Sequence, residues 1–120
     1  MNTKISSVII LVGGLGSRFS SINEHPKQLS KINNEYILIH IIKNFKKYGI
    51  NHFVFPLGYK KQFFSKFFLS KKNILKYKFN ILNKKFEHNQ IIKNNINISF
   101  FNAGNNTTKM YRILRSLKYI

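Results

Sequence analysis

Residues Ile5 to Val12 form a short, largely β-branched apolar run that stops at Gly13-Gly14-Leu15-Gly16. A run of that length and composition, closed by glycines, reads as a buried strand ending in a tight loop. Glycines at 13, 14 and 16 let backbone N–H groups turn inward and approach a ligand at distances that bulkier residues would block. Arg18 and Lys27 add fixed positive charge beyond the loop. Together these residues read as a cradle for polyphosphate at the end of a strand. The bare Gly-Gly-x-Gly pattern also fits an ordinary strand-to-helix turn. It is not a P-loop, because no Gly-Lys-Ser/Thr closes it, and it leaves the dinucleotide fingerprint at Phe19. In so basic a chain, Arg18 and Lys27 alone would read as solvated surface charges; their place beside the glycines turns the reading toward phosphate.

The rest of the chain alternates in type. Tyr36 to Tyr48 carries Ile37, Ile41, Ile42, Phe45 and Tyr48 at three- and four-residue steps, an amphipathic helix that Gly49 stops. Phe53 to Leu57 reads as a second buried strand ended by Gly58, and Lys61 to Leu69 as a second helix. Phe63, Phe64, Phe67 and Phe68 on that helix read as core. Strand, helix, strand, helix argues a βαβ unit with a parallel sheet. Such sheets bind ligands outside the carboxyl ends of their strands, where the glycine loop falls. Residues 70–95 are rich in Lys and Asn, and Tyr77, Phe79, Ile81 and Phe86 suggest an excursion with a hairpin. Ile96 to Phe101 is a third strand, and Met110, Ile113, Leu114 and Leu117 place a helix within Thr107 to Ile120. Locally, Thr107 fits a helix N-cap and Arg112 an exposed helix position.

Lys and Arg number 21 against 3 acidic residues, a net charge of +18. Nucleic acid is the partner such a charge suggests. The abundance of Lys, Asn, Ile, Phe and Tyr, with few arginines, is explained better by an AT-biased coding sequence, so a nucleic-acid role is not expected. No cysteine is present, which removes disulfides and thiolate metal sites. No run is long enough to span a bilayer and none resembles a signal peptide, so a cytoplasmic location is expected. The acidic residues are Glu24, Glu35 and Glu87, a poor supply for a magnesium site.

The longer string is more specific. Leu11-Val12-Gly13-Gly14-Leu15-Gly16-Ser17-Arg18-Phe19, followed by Pro26-Lys27, resembles the signature of sugar-1-phosphate nucleotidylyltransferases, Leu-Ala-Gly-Gly-x-Gly-Thr-Arg-Leu and then Pro-Lys-Pro. Tyr36 to Ile42 is similar to the family's Pro-Ile-Leu-x-His-Ile helix, and Leu57-Gly58-Tyr59-Lys60 to its Gly-Tyr-Lys turn. The length of the 70–95 stretch, an insertion within the domain, resembles the glucose-1-phosphate cytidylyltransferase (CDP-glucose pyrophosphorylase) branch. Asn102-Ala103-Gly104 and Lys109-Met110-Tyr111-Arg112-Ile113 stand where that branch has Asp-Thr-Gly and Thr-Gly-Gly-Arg-Leu.

The resemblance covers 1–120 and implies the N-terminal part of a three-layer, Rossmann-like nucleotidyltransferase fold, incomplete, with a partial parallel sheet and flanking helices. It implies transfer of CMP from CTP to glucose 1-phosphate. Leu11, Val12, Gly13, Gly14, Leu15, Gly16 and Ser17 would cradle the nucleotide. Arg18 and Lys27 would act catalytically on the phosphates, and Thr107 and Arg112 would hold the nucleotide from a second loop. Magnesium belongs to that chemistry, and the family's metal-binding aspartates have no counterpart in this chain. The expectation is a truncated chain, inactive alone, that is either one piece of a split gene, with a second polypeptide supplying the missing half, or a decaying one. A nucleotidylyltransferase of other nucleotide or sugar specificity is an alternative, as is a small basic nucleic-acid-binding protein. A partial sheet also predicts an unpaired edge and a last helix left poorly covered.

Overall fold

The computed structural model describes residues 6–12, 25–82, 90–105 and 107–120. Its centre is strand β4 (Ile50–Leu57), flanked by β1 (Ser6–Ile9) on one side and β6 (Ile96–Asn102) on the other. Strand β5 (Phe79–Ile81) lies beyond β6, so the order is β1-β4-β6-β5, and every pairing is parallel. Residues 52–57 of β4 are all buried. That is the burden of a central parallel strand, covered on both faces, and it explains the nearly continuous apolar run.

One face carries Phe53, Phe55 and Leu57 of β4 with Ile96 and Ile98 of β6. Helices α1 (Ile37–Lys46), α2 (Lys61–Leu69) and α3 (Lys71–Tyr77) close over it. Leu38, Ile39 and Ile42 are the buried positions of α1, and Gly49 at φ +88° takes the left-handed turn that ends it. Helix α2 buries Phe64, Phe67 and Phe68. Phe68 meets Phe55 at 4.8 Å and Phe100 at 5.4 Å between ring centroids. Each such ring taken out of water contributes about 1.5–3 kcal/mol.

The other face is more polar. His52 and Asn97 are fully buried there, and Ser99 beside them. The Ser99 hydroxyl donates to the Leu82 carbonyl at 2.7 Å, so it can only accept from His52 Nε2–H at 2.9 Å. His52 Nδ1 lies 2.8 Å from the Ser7 hydroxyl, within hydrogen-bond distance. One imidazole thus ties β1, β4 and β6 together. Helix α4 (Lys109–Ser116) and a closing 3₁₀ turn (Leu117–Tyr119) cover part of this face, where Tyr119 stacks on Phe101 at 4.9 Å. Phe100 and Phe101 are consecutive and point to opposite faces, so helices flank the sheet on both sides.

The expected α/β architecture holds, with corrections. No hairpin occurs among the described residues of 70–95. Ser70 caps α3 by accepting from the Asn73 amide, and Phe79–Ile81 joins the main sheet in parallel with β6. Alternating aromatics fit a half-buried strand of either direction, and only β6 selects the parallel one. Strand β4 begins at Ile50, three residues before the apolar run, because His52 spends its polarity internally. A two-stranded ribbon absent from the sequence reading, β2 (Lys31–Ile32) with β3 (Glu35–Tyr36), turns on Asn33 and Asn34, both in left-handed conformation.

Candidate functional site

Parallel pairing puts the carboxyl ends of β1, β4 and β6 on one edge. Ile10 N–H donates to the Val54 carbonyl at 2.9 Å, and the chain runs on through Leu11 to Val12, which is buried. Leu57 pairs with Asn102, and Ala103 N–H donates to the Leu57 carbonyl at 2.7 Å. The Gly58-Tyr59-Lys60 turn and the loop that follows Asn102 leave this edge beside Val12. A groove of about 240 Å³ opens there between Leu57, Phe100, Asn102 and the first turn of α2.

Two of these loops are clasped together by Arg112. Its side chain is 4 % exposed. Nε donates to the Thr107 hydroxyl at 2.9 Å and Nη2 to the Gly104 carbonyl at 3.3 Å. The Thr107 hydroxyl in turn donates to Gly104 O at 3.3 Å, and Asn102 Oδ1 accepts from Gly104 N–H at 3.0 Å. The guanidinium rests against Gly58, where a Cβ would collide with Nη2 and come within 2.6 Å of Gly104 O. Gly104 itself sits at φ +95°. Both glycines are thus required by geometry.

Thr107 and Arg112 are therefore brought together, and neither occupies the place that local reading offered. The cap of α4 is Thr108, which accepts from Tyr111 N–H at 3.0 Å. Arg112 faces inward although its helix is rich in apolar residues. Lys27 opens a 3₁₀ turn (Lys27–Leu29) and is exposed. His25 and Leu29 beside it line a groove of about 500 Å³ with Tyr36, Gln62, Phe63 and Lys66. Gly13, Gly14, Leu15, Gly16, Ser17 and Arg18 lie outside the described residues. Sequence reasoning did not single out Lys60 or the need for glycine at 58. Lys60 is 4 % exposed and holds a left-handed φ of +63° at the start of α2. The Gly-Tyr-Lys turn was the signal that could have found both.

Among the described residues no group of three His, Asp or Glu stands together to hold a metal. Glu35 is the acidic residue among them, and its carboxylate accepts from the Tyr77 hydroxyl at 2.7 Å and from Tyr36 N–H at 3.0 Å. Lys43 stands 3.5 Å from its other oxygen. These residues do not fit a magnesium ion. The cations at the described edge are Lys60 and Arg112, both buried, and Lys61, which lines the groove. No helix of the described residues is long and apolar enough to cross a membrane.

The chain matches no protein-family model. It is 44 % identical over 62 residues to a Bacillus subtilis (strain 168) protein named "Probable glucose-1-phosphate cytidylyltransferase", covering 51 % of this chain and 24 % of that one. It is 28 % identical over 117 residues to the glucose-1-phosphate cytidylyltransferase of Salmonella typhimurium, covering 93 % of this chain and 44 % of that one. The chain is similar to sugar-1-phosphate nucleotidylyltransferases. Their names differ in nucleotide and sugar. The D-glycero-alpha-D-manno-heptose 1-phosphate guanylyltransferase of Aneurinibacillus thermoaerophilus is 39 % identical over 61 residues, covering 50 % of this chain and 26 % of that one. The chain spans less than half the length of each of these nucleotidylyltransferases.

Proposed function

We propose that this chain is the nucleoside-triphosphate-holding part of a sugar-1-phosphate nucleotidylyltransferase, with CTP as the nucleotide and glucose 1-phosphate as the acceptor. The observation that carries the reading is the common edge of β1, β4 and β6, where the described chain after β1 reaches Val12 and from which the Gly58-Tyr59-Lys60 turn and the Arg112-clasped loop depart. An oxygen of the sugar 1-phosphate attacks the α-phosphorus of the triphosphate. The bond from that phosphorus to the β-bridging oxygen breaks, and pyrophosphate leaves with the electron pair. Such transfer needs positioning and charge neutralisation. Backbone donors from Gly13 to Ser17 hold the triphosphate, Arg18 neutralises the departing pyrophosphate, and Lys27 faces the α-phosphate. The Arg112–Thr107–Gly104 clasp fixes the second loop beside the nucleotide. The chain spans 44 % of the Salmonella typhimurium relative, and binding of the nucleoside triphosphate is the part of the activity assigned to these 120 residues.

Isothermal calorimetry with CTP, with and without magnesium, tests this. Saturable binding weakened about tenfold or more by Arg18→Ala and by Lys27→Ala is the expected result. Undetectable binding, or binding indifferent to both changes, overturns the reading. GTP in the same cell decides the base: equal affinity would leave the family reading standing and remove the preference for CTP.

A further inference from the structure

The groove beside His25 has two walls that are pinned independently. One is the 3₁₀ turn Lys27–Leu29, where Leu29 N–H donates to the Pro26 carbonyl at 3.0 Å. Ile37 N–H, at the start of α1, holds the end of that turn by donating to the Ser30 carbonyl at 2.8 Å. The other wall is α2, anchored by Phe64, Phe67 and Phe68 in the core. Leu29 and Phe67 form the floor, 8 % and 7 % exposed. Phe67 has no room to swing aside: Tyr36 meets it edge-on at 4.9 Å, and Phe68 and Phe79 stand at 5.8 and 6.0 Å between ring centroids. The half-buried Phe63 reaches the imidazole of His25 at 4.9 Å. About 500 Å³ stays open along these rings, within the size range of small-molecule sites, roughly 300–1,000 Å³.

The period of α2 sorts its contribution into two rows. Phe63 and Phe67, one turn apart, offer ring surface, and Gln62 and Lys66, also one turn apart, run alongside them at the exposed rim. Gln62 supplies an amide N–H and Lys66 an ammonium, so two donors stand beside an aromatic floor. What matters is the position of Lys66 one turn from Gln62, not the abundance of lysine in the chain. Among the described residues no carboxylate lines the groove, and Glu35, next to Tyr36, gives its oxygens to Tyr77, Tyr36 N–H and Lys43. A flat ring lying against Phe63 and Phe67 carries its substituent to the Gln62–Lys66 row, and a carboxylate has two oxygens for the two donors. We propose that this groove is a binding site for a small planar aromatic carboxylate. It is distinct from the nucleotide edge: among the described residues it shares only Gln62 with the groove of about 240 Å³ there.

Calorimetry with 2-naphthoate tests this against two controls. 2-Naphthamide keeps the flat ring and loses the charge; cyclohexanecarboxylate keeps the charge and loses the flat ring. Saturable binding of 2-naphthoate, tighter than either control by about fivefold or more, is expected. Lys66→Gln should bring 2-naphthoate down to the affinity of 2-naphthamide and leave 2-naphthamide itself unchanged, a split that loss of folding would not produce. With ¹³C-labelled phenylalanine, nuclear Overhauser contacts from the naphthalene protons should reach Phe63 and Phe67. Undetectable binding, equal affinity for the three probes, contacts to Phe100 or Phe101 instead, or a Lys66→Gln variant that binds 2-naphthoate as the parent does each overturn the proposal. Displacement of 2-naphthoate by saturating CTP would put the probe in the nucleotide site and overturn it too. A chain that binds 2-naphthoate and no CTP sinks the functional reading above and leaves this site standing.

Discussion

Gly58 lies directly beneath the guanidinium of Arg112, close enough that a methyl group at 58 would overlap Nη2. The contact joins the turn after β4 to the loop after β6, and both loops leave the edge assigned to the nucleotide. Neither residue is explained by its own element: Arg112 is a helix residue without a local reason for burial, and Gly58 a turn residue without a positive φ.

Gly58→Ala should destabilise the protein by about 1–3 kcal/mol, the usual cost of forcing extra volume into a packed site. The arginine tip can move, but Gly104 O is backbone and cannot. Adding Arg112→Ala should make the two losses non-additive, because one partner of the clash is gone. Thr107→Val should cost about 1–2 kcal/mol by removing the acceptor of Nε. Urea denaturation of Gly58→Ala, Arg112→Ala, their double variant and Thr107→Val checks this, and strictly additive losses would show that the contact is incidental.

Glu35 and Tyr77 give the protein a pH dependence. Burial favours the protonated form of Glu35, but the Tyr77 hydroxyl, the Tyr36 amide and Lys43 outweigh it and hold the carboxyl below its ordinary value. A lowered carboxylate pKa contributes stability above the unfolded value of about 4.3, and loses it as pH falls through the folded value. Burial first, and then the Glu35 carboxylate, push the Tyr77 hydroxyl well above its ordinary range. That contribution is complete below about pH 10 and is lost as pH rises further. Tyr77→Phe should lower stability by about 1–2 kcal/mol at neutral pH and flatten both limbs of the curve. Denaturation midpoints measured from pH 3 to 11 test it; a wild type and variant whose curves run parallel would contradict the linkage.

Ser99→Ala should leave the fully buried His52 Nε2–H without its acceptor, at a cost of about 1–3 kcal/mol. Nitrogen NMR of the parent protein should find a proton on His52 Nε2. A bare Nε2 would contradict the His52–Ser99 assignment.

The regular periods were legible from sequence. Phe64, Phe67 and Phe68 read correctly as the buried side of α2, with Phe63 half-buried against the core, and Gly49 as the end of α1. Where sequence reading went astray, a polar residue had found a distant partner. His52 hid the start of β4 because Ser7 and Ser99 lie 45 and 47 residues away. On local spacing alone Arg112 fitted an exposed helix position, because its acceptors belong to a loop that folds back over it. The helical spacing of Met110, Leu114 and Leu117 read as a helix, which is right, but spacing carries no sign for inside or outside.

By itself the sequence determined the class of the fold. Periods of two and 3.6 residues, and glycine at the ends of apolar runs, are local properties and survive in a linear reading. The tertiary structure alone decided that β5 lies in parallel beyond β6, that Arg112 clasps Gly104 and Thr107 above Gly58, and that α4 turns its apolar stripe outward. Each of these depends on which groups meet across tens of residues, where a hydrogen bond or a collision settles what composition leaves open.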